Sequence, residues 1–218
     1  MHEVPNTPSV PGPQPVVWQI GRSVCRLAAT AFFDLKVSGL NNLPQRGGAL
    51  VVCNHQSYLD PVVLSAKVRR PLCFMGKEEL FSIPIYDRLF RALGAFPVHQ
   101  GQRDLRAVRE AIARLRAGQL VNIFPEGARS PDGEIGKIQE GIALIDRHAH
   151  VPLVPAVITG AYEAWPIHRR FPRPWPIRVR FGPPMEVADL TPREITAVVD
   201  QTLRRMLAEL RQERALRS

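Results

Sequence analysis

Apolar residues in this chain come in short blocks, separated by stretches where they recur every three or four positions. Six blocks rich in Val, Ile, Leu and Phe stand out, at 49–53, 72–75, 95–98, 120–124, 153–159 and 177–181, with a weaker one at 33–37. Short runs this rich in β-branched and other apolar residues suit strands buried in a sheet. Between most of them lie helical patterns. The clearest covers 104–117, with Leu105, Val108, Ile112 and Leu115 on one stripe and Gly118 as terminator. The last helix opens at Thr191-Pro192-Arg193-Glu194, a capping box with proline at its first position, and Ile195, Val198, Val199, Leu203, Met206, Leu207 and Leu210 mark its buried face. Strands alternating with helices predict an α/β fold: one domain, a mostly parallel central sheet of about seven strands, and helices on both faces. Ligands of such sheets collect at the carboxyl ends of the strands.

Ahead of the alternation, residues 1–15 are proline-rich and polar and read as a disordered tail. Residues 16–33 form an amphipathic helix, with Val16, Val17, Ile20, Val24, Leu27, Ala28 and Ala31 at helical spacing and Trp18, Arg22 and Arg26 interleaved. That stripe either packs on its own domain or lies in a membrane interface, with Trp and Arg at headgroup level. Residues 34–218 make up the remaining domain. The first dozen residues have no basic region followed by an apolar one, and no run approaches the ~18–20 apolar residues needed to span a bilayer. The expected location is therefore the cell interior, at most peripheral on the cytoplasmic face of the membrane.

Composition narrows the partners. Lys and Arg number 29 against 20 acidic residues, for a net charge of +9. Only four of the 29 are lysines (Lys36, Lys67, Lys77, Lys137), so the surface is rich in the forked guanidinium that suits phosphate and carboxylate groups. Three cysteines without a CxxC pair argue against a disulfide framework or a zinc site. No nucleic-acid-binding motif is present. The stretch from Trp165 to Pro176 combines two tryptophans, a phenylalanine and arginines without an acidic residue. It suits an anionic membrane interface or the phosphates of coenzyme A, or is a solvated loop between strands.

Two strand ends carry candidate chemistry. In Leu50-Val51-Val52-Cys53-Asn54-His55-Gln56-Ser57-Tyr58-Leu59-Asp60 an apolar strand gives way to polar residues, with His55 at the turn and Asp60 at the start of a helix. An imidazole so placed can act as general base when a carboxylate holds its far nitrogen. The spacing alone does not decide this, because His99 and Asp104 repeat the same offset. The bland alternative is a histidine ending a strand and an aspartate capping a helix. At the second strand end, Phe124-Pro125-Glu126-Gly127-Ala128-Arg129-Ser130, Glu126 and Arg129 can meet polar groups of a ligand, Arg129 gripping a phosphate, or simply pair with each other.

Taken together, Asn54-His55-Gln56-Ser57 with Asp60 and, some seventy residues on, Phe124-Pro125-Glu126-Gly127-Ala128-Arg129-Ser130 resemble the glycerolipid acyltransferases, in particular the 1-acylglycerol-3-phosphate (lysophosphatidate) acyltransferases. Gly94-Ala95-Phe96-Pro97-Val98, Val154-Pro155-Ala156-Val157-Ile158-Thr159-Gly160 and the Lys137…Gly141 pair are similar to lesser family blocks. The resemblance implies acyl transfer from a thioester, on coenzyme A or a carrier protein, to the free hydroxyl of a lysophospholipid, with no cofactor and no metal. It implies His55 as base and Asp60 as its partner, and acceptor binding by Asn54, Ser57, Glu126, Gly127, Arg129, Ser130 and Lys137. Donors for the oxyanion are expected among the backbone amides of the turn at the helix start. Cys53 and Ser57 lie beside His55, but Cys53 reads as a small core residue and Ser57 as a cap or turn residue. The family places an arginine where Gln100 falls here; Arg103 stands in for it, or the headgroup differs from glycerol phosphate, as in a lyso-ornithine lipid. A non-catalytic basic protein that adsorbs to membranes or nucleic acid is the reading from another class.

Overall fold

The computed structural model of the chain describes residues 15–99 and 104–216. Residues 1–14 of the expected tail, Gln100 and Arg103 lie outside them. The apolar blocks become the strands β1 (Lys36–Ser38), β2 (Ala49–Cys53), β3 (Leu72–Lys77), β4 (Ala95–Val98), β5 (Leu120–Ile123), β6 (Leu153–Thr159) and β7 (Arg178–Phe181) of one sheet. Its order is β1-β7-β6-β2-β5-β3-β4. The five strands from β6 to β4 are parallel; β7 runs antiparallel to β6, and β1 runs with β7. The mostly parallel seven-stranded sheet expected from the alternation is what forms.

The strand expected at 33–37 starts later. Phe33 closes the first helix, α1 (Pro15–Phe33), and Asp34 takes φ +40, a left-handed step that stops the helix before β1 begins. This junction is tight. The Ile177 N–H donates to the Phe33 carbonyl (2.8 Å), the Lys36 N–H donates to the Ile177 carbonyl (3.1 Å), and Arg178 pairs with the Asp34 carboxylate (2.7 Å).

Period-two alternation divides the core, as a pleated strand requires. From β2, Ala49, Val51 and Cys53 face a layer with α1, α2 (Asp60–Ser65) and the short α6 (Ala161–Ala164). Leu50 and Val52 face the other layer, built from α4 (Leu105–Arg116), α5 (Gly141–Ala149) and α7 (Pro192–Ala215). Every residue of β2 and β6 is buried, so polar residues concentrate where these strands end. Asp104 caps α4, accepting the N–H groups of Arg106 and Ala107, and the Thr191–Glu194 capping box starts α7 as its sequence indicates. The remaining helix, α3 (Pro84–Ala92), has no buried residue, and Ile85, Tyr86 and Leu89 are exposed on it.

α1 corrects one expectation. Trp18, expected at headgroup level, is 5% exposed; it packs inward together with Ala29 and Phe33, with the Arg22 guanidinium 5.2 Å from its ring centre. The predicted stripe points the other way: Val16, Ile20, Val24 and Leu27 are all more than half exposed. Two faces of this helix are apolar, and the heavier one, carrying Trp18 and Phe33, is buried. Among the described residues no helix is long and apolar enough to cross a membrane.

Candidate active site

β2 lies between β6 and β5, and all three end at the same edge of the sheet. As β2 ends, Asn54 is buried and pairs edge-on with β6: its Nδ2 donates to the Ile158 carbonyl (3.0 Å) and its Oδ1 accepts the Ile158 N–H (2.8 Å). The chain then turns into α2, and the carboxylate at the start of that helix gathers the turn around itself. Asp60 Oδ2 accepts from His55 Nδ1 (2.7 Å), the Gln56 N–H (2.6 Å) and the Ser57 N–H (2.8 Å). The Asp60 side chain is fully buried and that of His55 is 17% exposed. The Phe124 ring stacks on the imidazole, with centroids 4.0 Å apart and planes 12° apart. A carboxylate on Nδ1 sets the tautomer with the proton on that nitrogen. Nε2 has no hydrogen-bond partner among the described residues.

The other histidine at the same offset is built differently. His99 is half-exposed; its Nδ1 lies 3.2 Å from Asp104 Oδ2 and its Nε2 pairs with Glu78, so carboxylates meet both nitrogens. Asp104 is the N-cap of α4.

The Pro-Glu-Gly loop after β5 closes over the turn. Glu126 Oε1 accepts the His55 N–H (2.7 Å) and its Oε2 accepts the Gly136 N–H (2.7 Å). Burial pushes its carboxyl above the usual range, opposed by these two N–H bonds. The Ser130 N–H donates to the His55 carbonyl (2.7 Å), and Ser130 Oγ donates to Asp132 and accepts the Gly133 N–H. Gly127 has φ +74, a conformation side chains disfavour. Arg129 does not pair with Glu126: its guanidinium carbon lies 3.4 Å from the centre of the Tyr58 ring. Lys137 is exposed, next to the Gly136 amide held by Glu126.

Of the residues singled out in the sequence, His55, Asp60, Glu126, Gly127, Arg129 and Ser130 thus converge at the ends of β2 and β5. Asn54 and Ser57 converge too, but their polar atoms are engaged inside the chain. Ser57 Oγ donates to the Trp165 carbonyl (2.7 Å) and accepts the Leu59 N–H. Of the turn's amides, expected to serve an oxyanion, four are taken inside the turn: Gln56 and Ser57 donate to Asp60, Leu59 to Ser57 Oγ, and Asp60 to the Ser57 carbonyl. Cys53 is a core residue, its thiol pushed far above the usual range by burial. Sequence reasoning assigned no role to Phe124 or Tyr58; an aromatic directly before Pro-Glu-Gly and another inside the histidine turn were the available signals.

The family model described as Acyltransferase matches residues 34–159, which takes in both strand ends, and the chain belongs to this family. A solved structure with the same fold is the 1-acyl-sn-glycerophosphate (LPA) acyltransferase PlsC from Thermotoga maritima. It has a TM-score of 0.76 and 29% identity, covering 89% of this chain and 80% of that one. The 1-acyl-sn-glycerol-3-phosphate acyltransferase of Bacillus subtilis is 26% identical over 180 residues, 81% of this chain and 87% of that protein. The chloroplastic enzyme LPAT1 of Arabidopsis thaliana is 30% identical over 138 residues, and the chain spans 38% of its length. The protein is an acyltransferase, not a non-catalytic basic protein.

Proposed function

We propose that the protein transfers a fatty acyl group from a thioester to the free hydroxyl of 1-acylglycerol 3-phosphate, giving phosphatidate. The observation that carries this reading is His55 Nδ1 held 2.7 Å from the buried Asp60 Oδ2 where β2 ends, with Nε2 unpartnered among the described residues. In the mechanism, Nε2 takes the proton of the acceptor hydroxyl as that oxygen attacks the thioester carbonyl. Asp60 holds the ring and stabilises the imidazolium, and the two backbone N–H groups on Oδ2 keep the carboxylate in place. The tetrahedral intermediate collapses with loss of a thiolate, whose conjugate acid has a pKa near ~8.5, so the leaving group needs little assistance. Glu126 braces the turn from behind, and Arg129 grips the acceptor phosphate. Coenzyme A or a carrier protein brings the acyl group. The enzyme works as a peripheral protein on an anionic membrane surface, a reading supported by the outward apolar stripe of α1 and the net charge of +9.

The test is thiol release from a labelled acyl thioester in the presence of lysophosphatidate. Release should depend on acceptor and fall by about a thousandfold in His55→Ala, with the melting curve retained. A His55→Ala protein at the wild-type rate, or wild-type turnover only with another lysolipid, overturns the proposal.

A further inference from the structure

Tyr58 stands in the middle of the histidine turn and is 51% exposed, so core packing does not account for it. One contact of its ring is the Arg129 guanidinium, whose carbon lies 3.4 Å from the ring centre, the spacing of a cation on a π face. Another is Trp165, with centroids 5.2 Å apart and planes at 44°. Trp165 is itself fixed: its Nε1 donates to the Arg169 carbonyl (3.0 Å), and its carbonyl accepts Ser57 Oγ from the histidine turn. Arg129 therefore takes its orientation from an aromatic ladder rooted in the turn that carries His55. Its Nη1 is buried and has no acceptor among the described residues, although a guanidinium N–H out of reach of water is costly unless something accepts from it.

We infer that Tyr58 is the positioning residue for acceptor recognition. Its ring holds the Arg129 guanidinium flat and at a fixed place beside His55, so that Nη1 meets a phosphomonoester oxygen of the acceptor. The inference rests on the proposed function and deepens it: it assigns selection of the phosphate group to the Trp165–Tyr58–Arg129 stack. A ring on the face of the guanidinium leaves its in-plane N–H donors unused by the ring, and those are the donors a phosphate bonds in two-point geometry. The Tyr58 hydroxyl has no part in this, so phenylalanine should serve and an aliphatic residue should not.

The experiment compares wild type, Tyr58→Phe and Tyr58→Leu. Binding of glycerol 3-phosphate is measured by calorimetry with glycerol as the control ligand, and kcat and KM are measured with lysophosphatidate and with 1-acylglycerol, which lacks the phosphate. Tyr58→Leu should weaken glycerol 3-phosphate binding and raise KM for lysophosphatidate by roughly tenfold, the size expected for a desolvated cation–π contact. The kinetics with 1-acylglycerol should not change, and Tyr58→Phe should match wild type throughout. Tyr58→Met repeats the test if leucine lowers the melting temperature. Equal losses with both acceptors, or unchanged phosphate binding in both aliphatic variants, overturn the inference. A stack that binds glycerol 3-phosphate as described in a protein that transfers no acyl group upholds the inference and sinks the proposed reaction instead.

Discussion

At His99 a carboxylate meets each ring nitrogen, while at His55 the single carboxylate is buried and the second nitrogen has no partner among the described residues. The two sites share an offset of five residues and differ in what precedes them: a fully buried central strand before His55, a partly exposed edge strand before His99. His99→Ala should accordingly leave kcat within about threefold of wild type, against the thousandfold loss expected at His55, as measured in the same thiol-release assay. Asp60→Ala strands three donors around an emptied carboxylate site. It should cost at least about 2 kcal/mol in denaturant melts as well as activity, since each unsatisfied buried donor carries a penalty of its own. The histidine and aspartate were legible as candidates in the sequence because polar residues interrupt an apolar run. That Glu126 supports the His55 backbone was not legible, since a carboxylate at a strand end reads the same whether it meets a ligand or an amide.

The strands were legible because a sheet covered on both faces leaves little place for polar residues, and α7 because it buries one continuous stripe. α3 was not, for the opposite reason: it buries nothing, so no stripe marks it. The spacing marked α4 as a helix but not its buried face: Leu105 of the expected stripe is exposed, and Ala107, Ala111 and Arg114 are buried beside Leu115. α1 misled through Trp18, since spacing identifies an apolar face without saying whether protein or something else covers it. Capping supplies a test at this scale. Asp104→Ala should destabilise by about 1 kcal/mol in thermal melts, because two N–H groups of the first turn of α4 lose their acceptor. The Asp104 carboxyl is held down at about 2, chiefly by the His99 N–H. A lowered folded-state pKa means the stabilisation is complete above the ordinary value of 3.8 and disappears as pH falls towards 2. The difference in melting temperature between wild type and Asp104→Asn should shrink across that interval.

For the whole molecule, the fold class and the edge of the sheet bearing the site followed from the alternation of blocks, because parallel strands must all end on one side. Which apolar face of α1 is left outward did not, since it depends on which face the core takes. The outward stripe gives a prediction. Ile20→Ser with Leu27→Ser should reduce partitioning onto anionic vesicles by about tenfold per side chain in sedimentation assays, while activity on dispersed short-chain acceptor is retained. Unchanged partitioning would move the contact to the exposed Phe171 and Ile167 of the arginine-rich loop or to α3.

Only Asp34 and Leu35 separate α1 from β1, and backbone bonds to Ile177 weld that joint to the sheet's margin. A helix so fastened has no hinge. Were it to rest on a bilayer, the whole sheet would stand at one height and one tilt above the lipid. His55 would then be offered, turnover after turnover, to hydroxyls lying at a single depth.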